Sequence, residues 1–332
     1  MSTTKVSTPD RLRNALRRTT GIEDLDWATP PAPLRGGFWA EMYTVELTDP
    51  PPTLAGHLVA RIMPDPDTAA LETAIQRHVH GCGLPVPAIR AASGPTSELD
   101  RAWTLMDLAP GQPMLSGLTA TGAIRRAPAL YRRLPDLLAQ AAADLHRCPT
   151  DGPDLDNHRN RADIRAFVAR IAQQADSVGR HDLAAIAEYV AGRAPAGRVI
   201  CHGDLHPFNL LVDAGRWTIL DWSTAVIADP HYDLGFTTLM LANPPLGGPA
   251  PVRATARIIG RRIAQRFLDT YARLSGSTVD PERLAWGRTV HALRAVTEIA
   301  TWEHHDRSHE RSGHPWIAMR SVLEAQLATV TD

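Results

Sequence analysis

Four polar residues in one short stretch have types and spacings suited to phosphoryl transfer. His202, Asp204, Asn209 and Asp221 lie in the text VICHGDLHPFNLLVDAGRWTILD, which starts at Val199. In the arrangement D-x-x-x-x-N, an aspartate meets the attacking hydroxyl while the asparagine amide oxygen holds a magnesium ion. Hard oxygen ligands for magnesium and one carboxylate that orients the hydroxyl are nearly all that such a transfer requires of a protein. The stretch therefore predicts a phosphotransferase.

Short strands are predicted to position these residues. The apolar runs at 198–201 and 210–212 read as strands that fix the loop carrying Asp204 and Asn209 at both ends. A further strand at 216–220 follows a turn of Asp-Ala-Gly, which has the composition of a tight hairpin. The hairpin ladder should set Asp221 beside Asn209.

The same stretch, followed by ILDW and DPHYDLG, resembles the aminoglycoside phosphotransferase and choline kinase branch of the protein-kinase-like superfamily. In that branch HGD replaces the HRD of protein kinases. The resemblance implies that Asp204 is the catalytic aspartate and that Asn209 and Asp221 are metal ligands. It also implies that His202 and Asp233 brace the catalytic loop.

The resemblance extends from about residue 34 to the last helices and implies an α+β, two-lobed protein-kinase-like fold. A small N-terminal lobe, an antiparallel sheet with one main helix, is expected over 1–106 and a hinge over 107–113. A larger, mostly helical lobe over 114–332 should carry the catalytic loop and bind the acceptor. The role of His206 stays open between contacting the transferred phosphate and capping the loop.

Arg61 is expected to contact the nucleotide phosphates. It lies on a strand-like run that resembles the strand on which kinases carry a lysine, and the only lysine of this chain is Lys5. Arginine can grip phosphate oxygens with two donors. A helix predicted at 67–81 places Glu72 eleven residues later, as the candidate ion-pair partner.

The remaining nucleotide contacts are expected from backbone and from a glycine pair. Gly36 and Gly37 either cover the phosphates or form a plain hairpin turn. The resemblance implies that the carbonyl of Asp107 and the amide of Ala109 bind adenine, and that Met106 lines the pocket. The expected cofactors are ATP or GTP, with Mg²⁺.

Composition limits the class of protein. The chain has 332 residues, 44% of them hydrophobic and 21% charged, with a formal net charge of −1. This balance gives no electrostatic argument for nucleic acid or a membrane as partner. The N-terminus lacks an apolar signal core, and the cysteines (Cys82, Cys148 and Cys201) are widely spaced. We therefore expect a cytoplasmic protein; the sequence does not give its oligomeric state.

The expected partner is a small-molecule alcohol that accepts the phosphoryl group. From Thr237 to Asp332 there are twelve arginines and nine acidic residues, which favours a neutral or anionic acceptor over a polycation. A cluster in the last helices is a candidate acceptor wall or a set of ordinary helix residues: Trp286, Glu298, Trp302, Glu303, His304, His305 and Asp306.

Two other functions compete with the kinase hypothesis. A catalytically silent nucleotide-binding protein would explain the missing lysine but not the presence of Asp204, Asn209 and Asp221 together. A metal-dependent hydrolase using His202, His206 and Asp221 would leave Asn209 unexplained.

Overall fold

The chain divides into two compact units, Met1–Pro110 and Gly111–Asp332. The structure is a computed structural model and describes residues 7–34, 40–93, 99–115, 120–244 and 249–331. The division falls inside the range 107–113 that the sequence predicts as a hinge. The lobe boundaries 1–106 and 114–332 remain predictions.

The first unit is built on a five-stranded antiparallel sheet in the order β1-β2-β3-β5-β4. Its strands are β1 (Ala32–Pro33), β2 (Glu41–Val45), β3 (Leu58–Met63), β4 (Ile89–Ala92) and β5 (Ala102–Asp107). Its helices are α1 (Thr8–Thr20), α2 (Pro66–Gly81) and a 3-10 turn at Pro52–Leu54. The antiparallel sheet expected from the sequence is confirmed.

Strand β3 lies in the middle of this sheet and separates two environments. Successive side chains of a strand point to opposite faces. Leu58, Ala60 and Ile62 accordingly pack into an apolar core with residues of α1. Arg61 lies on the other face, toward Glu72 of α2. The alternation of side chains along β3 thus directs Arg61 toward the carboxylate of Glu72.

Helix α1 has no counterpart in the sequence prediction. Ser7 caps it by accepting a hydrogen bond from the Asp10 amide, and Pro9 occupies its first turn. Leu12 and Leu16, four residues apart, are fully buried in the sheet core. The cap and this spacing are the signals by which the helix was predictable.

The second unit is mostly helical, as expected. Its helices are α3 (Ala120–Leu145), α4 (Pro153–Asp156), α5 (Arg159–Ala162), α6 (Ile164–Ser177), α7 (His181–Gly192), α8 (His231–Ala242), α9 (Ala250–Ser275), α10 (Pro281–His304) and α11 (Pro315–Thr331), with a 3-10 turn at His309–Arg311. None of the described helices has both the length and the apolar character needed to cross a membrane.

Two small antiparallel sheets interrupt these helices. The strands are β6 (Gln112–Pro113), β7 (Val199–Cys201), β8 (Leu210–Asp213), β9 (Arg216–Ile219) and β10 (Val226–Ala228). β7 pairs with β10, and β8 lies between β6 and β9. Ala214 and Gly215, both with positive φ, form the two-residue turn between β8 and β9. The strands predicted on either side of Asp204, and the hairpin that follows, are therefore present.

Helices α8 and α10 cross with almost no space between their backbones. A Cβ on Gly235 would lie 2.6 Å from backbone atoms of Gly287 and Arg288, and a Cβ on Gly287 would collide with the His231 carbonyl. Only glycine allows this approach. The crossing holds α10 against α8, whose first turn carries Asp233.

Candidate active site

The loop that carries Asp204 begins at a glycine that no other residue can replace without strain. Gly203 has φ of +75°, a conformation that L side chains rarely adopt, and an added Cβ would collide with the Thr224 carbonyl oxygen. The Thr224 hydroxyl in turn donates to the carbonyl of His202 at 3.1 Å. The HGD triplet thus needs its middle glycine for a sharp, close turn.

Asp233 braces this turn from the first turn of α8. Its two carboxylate oxygens accept from the backbone amides of His202 at 2.8 Å and Gly203 at 2.6 Å. His146, the residue that follows α3, lies 3.1 Å from the same carboxylate and 2.7 Å from the Tyr271 hydroxyl. Burial alone would raise the pKa of Asp233, but the hydrogen bond and charge of His146 lower it below its usual value. An ionised carboxylate therefore links the loop to α3 and α8.

His202 is buried and both of its ring nitrogens are used. Nε2 donates to the Leu220 carbonyl at 2.9 Å, and Nδ1 accepts from the Asp204 amide at 3.2 Å. Its ring also packs on Trp222, with centroids 4.8 Å apart. Burial lowers the pKa of His202, so the ring is neutral. Such a histidine cannot bind a metal, which removes the hydrolase hypothesis.

Each carboxylate oxygen of Asp204 has its own partners. Oδ2 accepts from the Asn209 side-chain amide at 2.9 Å and lies 3.5 Å from Nε2 of His206. Oδ1 lies 3.2 Å from a terminal guanidinium nitrogen of Arg294, a residue of α10. The Asp204 side chain remains 23% exposed. A carboxylate held at both oxygens, yet reachable from outside, can orient an incoming hydroxyl.

Asp204 is ionised despite its surroundings. Burial alone would raise its pKa, but the hydrogen bond with His206 and the charge of Arg294 together hold the pKa well below the usual range. His206 also accepts from the Phe208 amide at 3.1 Å through Nδ1. His206 thus caps the loop and faces Asp204 with its other nitrogen.

The predicted metal ligands lie at the open end of the β8–β9 hairpin: Asn209 immediately precedes β8, and Asp221 follows β9 by two residues. The Leu220 amide donates to the Asn209 carbonyl at 2.9 Å, which extends the ladder by one pair and brings Asp221 to the next position. The Asn209 side-chain nitrogen donates to Asp204, so its amide oxygen is the atom turned to other partners. Asp221 has φ of +61°, a strained conformation for a residue with a side chain. One amide oxygen and one carboxylate suit Mg²⁺ chemically.

Arg294 is the site residue that the sequence prediction missed. It is 6% exposed, and its other terminal nitrogen donates to the Gly203 carbonyl at 3.1 Å. Its guanidinium lies over the rings of Trp316 at 4.7 Å and Phe236 at 5.4 Å. Arg294 and Asp204 are 90 residues apart in the sequence, so no short motif could indicate their contact.

The cluster predicted in the last helices is divided by the structure. Trp286 donates to the Val190 carbonyl in the core, Trp302 packs on His314, and Glu303 pairs with Arg320. His304, His305 and Asp306 are exposed. Only Glu298, one turn beyond Arg294, shares the electrostatic environment of Asp204: burial, with a contribution from Asp204, raises its pKa to about 7 against the opposing charge of Arg294.

In the first unit, Arg61 and Glu72 form a buried ion pair. Burying two charges is tolerable only when they compensate each other, and the pair fixes the guanidinium of Arg61 on the α2 face of the sheet. Their role toward a nucleotide stays a prediction. Gly36 and Gly37 lie outside the described residues.

Of the three residues expected near adenine, Met106 and Asp107 end β5 and Ala109 lies just beyond it. The Asp107 side chain forms two hydrogen bonds with Arg90, at 2.6 and 3.0 Å, and its amide donates to Ala88. Met106 is half-buried, with its sulfur 3.9 Å from the Gln76 amide. Within the described part of the chain, the Ala109 amide donates to no backbone carbonyl. These contacts do not test adenine binding, which remains a prediction.

Comparison with known proteins gives consistent results. Residues 32–286 match the family model described as the phosphotransferase enzyme family. An aminoglycoside 3'-phosphotransferase of Streptomyces fradiae is 25% identical over 222 residues, which span 63% of this chain and 73% of the relative.

Solved structures of low sequence identity share the fold. A thermostable mutant of aminoglycoside phosphotransferase APH(4)-Ia, in a ternary complex with ADP and hygromycin B, superposes with a TM-score of 0.56 at 17% identity, covering 93% of this chain and 98% of that one. A macrolide 2'-phosphotransferase from Brachybacterium faecium gives a TM-score of 0.53 at 20% identity, covering 89% and 97%. Because the family model spans well over half of its length, the chain belongs to the phosphotransferase enzyme family.

Proposed function

We propose that this protein is a magnesium-dependent small-molecule kinase that transfers the γ-phosphoryl group of ATP or GTP to a hydroxyl of a small-molecule acceptor. The observation that carries the proposal is the state of Asp204. It is ionised, held at both oxygens, partly exposed, and hydrogen-bonded to Asn209 at the D-x-x-x-x-N spacing. A catalytically silent protein has no use for a carboxylate held in this way.

Asp204 would accept a hydrogen bond from the acceptor hydroxyl and aim its oxygen at the γ-phosphorus. A carboxylate with so low a pKa is a weak base, so it orients the hydroxyl and takes the proton late. This suits phosphoryl transfer, whose transition state is loose and needs positioning more than deprotonation.

Asn209 and Asp221 would hold Mg²⁺, with the side-chain amide of Asn209 kept in register by its bonds to Asp204. When bound, the ion neutralises charge on the nucleotide phosphates. Arg61, oriented by Glu72, would neutralise charge that moves toward the leaving nucleotide. The adenine contacts of Met106, Asp107 and Ala109 belong to the same proposal.

The acceptor is proposed to be an alcohol with few positive charges. Among the described residues, Glu298 of α10 is a carboxylate that interacts electrostatically with Asp204. Arg294 and His314 also interact with Asp204, and neither is acidic. Polycationic acceptors would need several carboxylates. The relatives are named for different acceptors, aminoglycosides in one case and macrolides in another.

We further propose that the protein acts in the cytoplasm. All three cysteines are described residues and none of them forms a disulfide. Thiols that stay reduced are typical of a reducing compartment.

A screen of nucleotide consumption tests the function. Purified protein is incubated with Mg·ATP or Mg·GTP and a panel of neutral, anionic and amine-bearing alcohols, with Asp204→Ala as the blank. We expect phosphate transfer to at least one alcohol by the wild type and almost none by Asp204→Ala, whose nucleotide binding should be largely kept. Turnover by Asp204→Ala equal to that of the wild type would overturn the mechanism.

A further inference from the structure

Arg294 belongs to α10, far in sequence from the catalytic motif, yet its side chain ends at the catalytic carboxylate. One terminal nitrogen is 3.2 Å from Oδ1 of Asp204 and the other donates to the Gly203 carbonyl at 3.1 Å. The two bonds reach the side chain of one residue and the backbone of its neighbour. Together they fix the position and the rotamer of Asp204.

The guanidinium is itself held rigidly. It lies over the Trp316 ring at 4.7 Å and the Phe236 ring at 5.4 Å, and both contacts favour a cation. α10 is anchored to α8 by the Gly235 and Gly287 crossing. A rigid donor on a packed helix is the type of support that keeps a catalytic group within a fraction of an ångström of its working position.

Stability alone does not account for this arginine. Its Nε is buried and has no hydrogen-bond partner among the described residues. An incompletely satisfied buried charge is a cost to folding, and an apolar side chain of similar size is often neutral or stabilising in its place. Without Arg294, the Asp204 carboxylate would still have its contacts with Asn209 and His206 and would still be partly exposed to solvent.

We propose that Arg294 is a positioning residue for phosphoryl transfer, which fixes the Asp204 carboxylate in the orientation that receives the acceptor hydroxyl. The inference rests on the proposed function. It assigns to α10 a part in the transfer step itself, in addition to any contact with the acceptor.

Arg294→Met tests it, because methionine keeps much of the volume and the apolar stem but removes the charge and both hydrogen bonds. We expect kcat to fall about 100-fold, while KM for the nucleotide and for the acceptor changes less than about threefold, since neither is bound by Arg294. The melting temperature should change little. Arg294→Lys, which keeps a charge but not the forked geometry, should restore part of kcat.

Arg288→Met is the matched control. Arg288 is a half-buried arginine of the same helix whose Nε donates to the Thr238 hydroxyl at 3.1 Å. It should leave kcat unchanged.

The outcomes separate the two proposals. If the wild type is active, Asp204→Asn is inactive and Arg294→Met has the kcat of the wild type, the role of Arg294 is wrong and the function stands. A large fall in melting temperature for Arg294→Met, with kcat per folded molecule unchanged, would make Arg294 a structural residue only. If wild type and Asp204→Asn do not differ, both proposals fail.

Discussion

Two carboxyl groups in the candidate site have pKa values shifted in opposite directions, although burial alone would raise both. Asp204 is ionised because His206 and Arg294 outweigh the cost of burial. Glu298, one turn from the same arginine, has a pKa raised to about 7 because burial, with Asp204 nearby, outweighs Arg294 and Arg311. Environments that separate the pKa values of neighbouring acids are typical of active sites. Asp204 therefore stays charged at neutral pH, and Glu298 is the group that titrates there.

Glu298→Gln should stabilise the protein at high pH. The Glu298 carboxyl is neutral in both states well below pH 4.5, its ordinary pKa, and so contributes nothing there. Between about pH 4.5 and 7 the unfolded chain loses this proton first, so the free energy of unfolding falls as pH rises. At pH 8 the variant should be more stable by on the order of 2 kcal/mol. Thermal unfolding at pH 5 and pH 8 measures the difference.

Glu324→Gln on α11 is the control for this measurement, because Glu324 is exposed. Equal gains in the two variants, or a gain from Glu298→Gln that is the same at pH 5 and pH 8, would contradict a raised pKa of the half-buried Glu298. If the acceptor carries an amine, the same substitution should raise its KM above pH 7, where the glutamate is charged.

At the scale of elements, the site depends on how closely α10 lies on α8. Gly235 and Gly287 let the two backbones touch, and Arg294 follows two turns after Gly287. α8 carries Asp233 in its first turn, where its carboxylate accepts from the amides of His202 and Gly203. The helix pair α8 and α10 thus holds this loop both through its backbone and through the side chain of Asp204.

Gly287→Ala should destabilise the second unit by about 2 kcal/mol or more, because the new methyl group collides with the His231 carbonyl and backbone cannot yield cheaply. Any activity should fall as well, since separating the helices withdraws Arg294 from Asp204. Gly192→Ala at the end of α7 is the control: nothing lies within 4 Å of its added Cβ, so it should be neutral or stabilising by up to about 1 kcal/mol. Denaturant unfolding compares them, and equal effects would exclude the tight crossing.

Features set by interactions between neighbouring residues could be predicted from the sequence, whereas features set by contacts between distant residues could not. The turn at Ala214 and Gly215 and the strands beside it are set by neighbouring residues, and the loop between β7 and β8 was predicted correctly. Packing between distant elements is harder to predict: helix α3 continues through Pro128 and Pro135, a residue type that usually interrupts a helix, while packing along α9. Arg294 was missed for the same reason: only the packing of distant helices brings it to Asp204.

At the scale of the molecule, each unit has a hydrophobic core of its own. The residues expected to contact the nucleotide belong partly to the first unit and partly to the second. Arg61 and Glu72 belong to the first unit, and Asn209 and Asp221 belong to the second. A nucleotide that uses both sets should stabilise the protein only when both are intact.

Thermal shift with Mg·ATP tests this division. At a nucleotide concentration of 100 Kd the wild type should gain about 2.7 kcal/mol in the free energy of unfolding. The double variant Arg61→Met, Glu72→Gln removes the buried pair without leaving one charge alone, and Asp221→Asn removes a ligand charge while tolerating the positive φ. Each should lose most of the shift, whereas Arg101→Met and Asp182→Ala, which break exposed ion pairs, should keep it. A shift that survives in the Arg61 and Glu72 variant would show that the first unit takes no part in binding the phosphates, and arginine would then not replace the missing lysine.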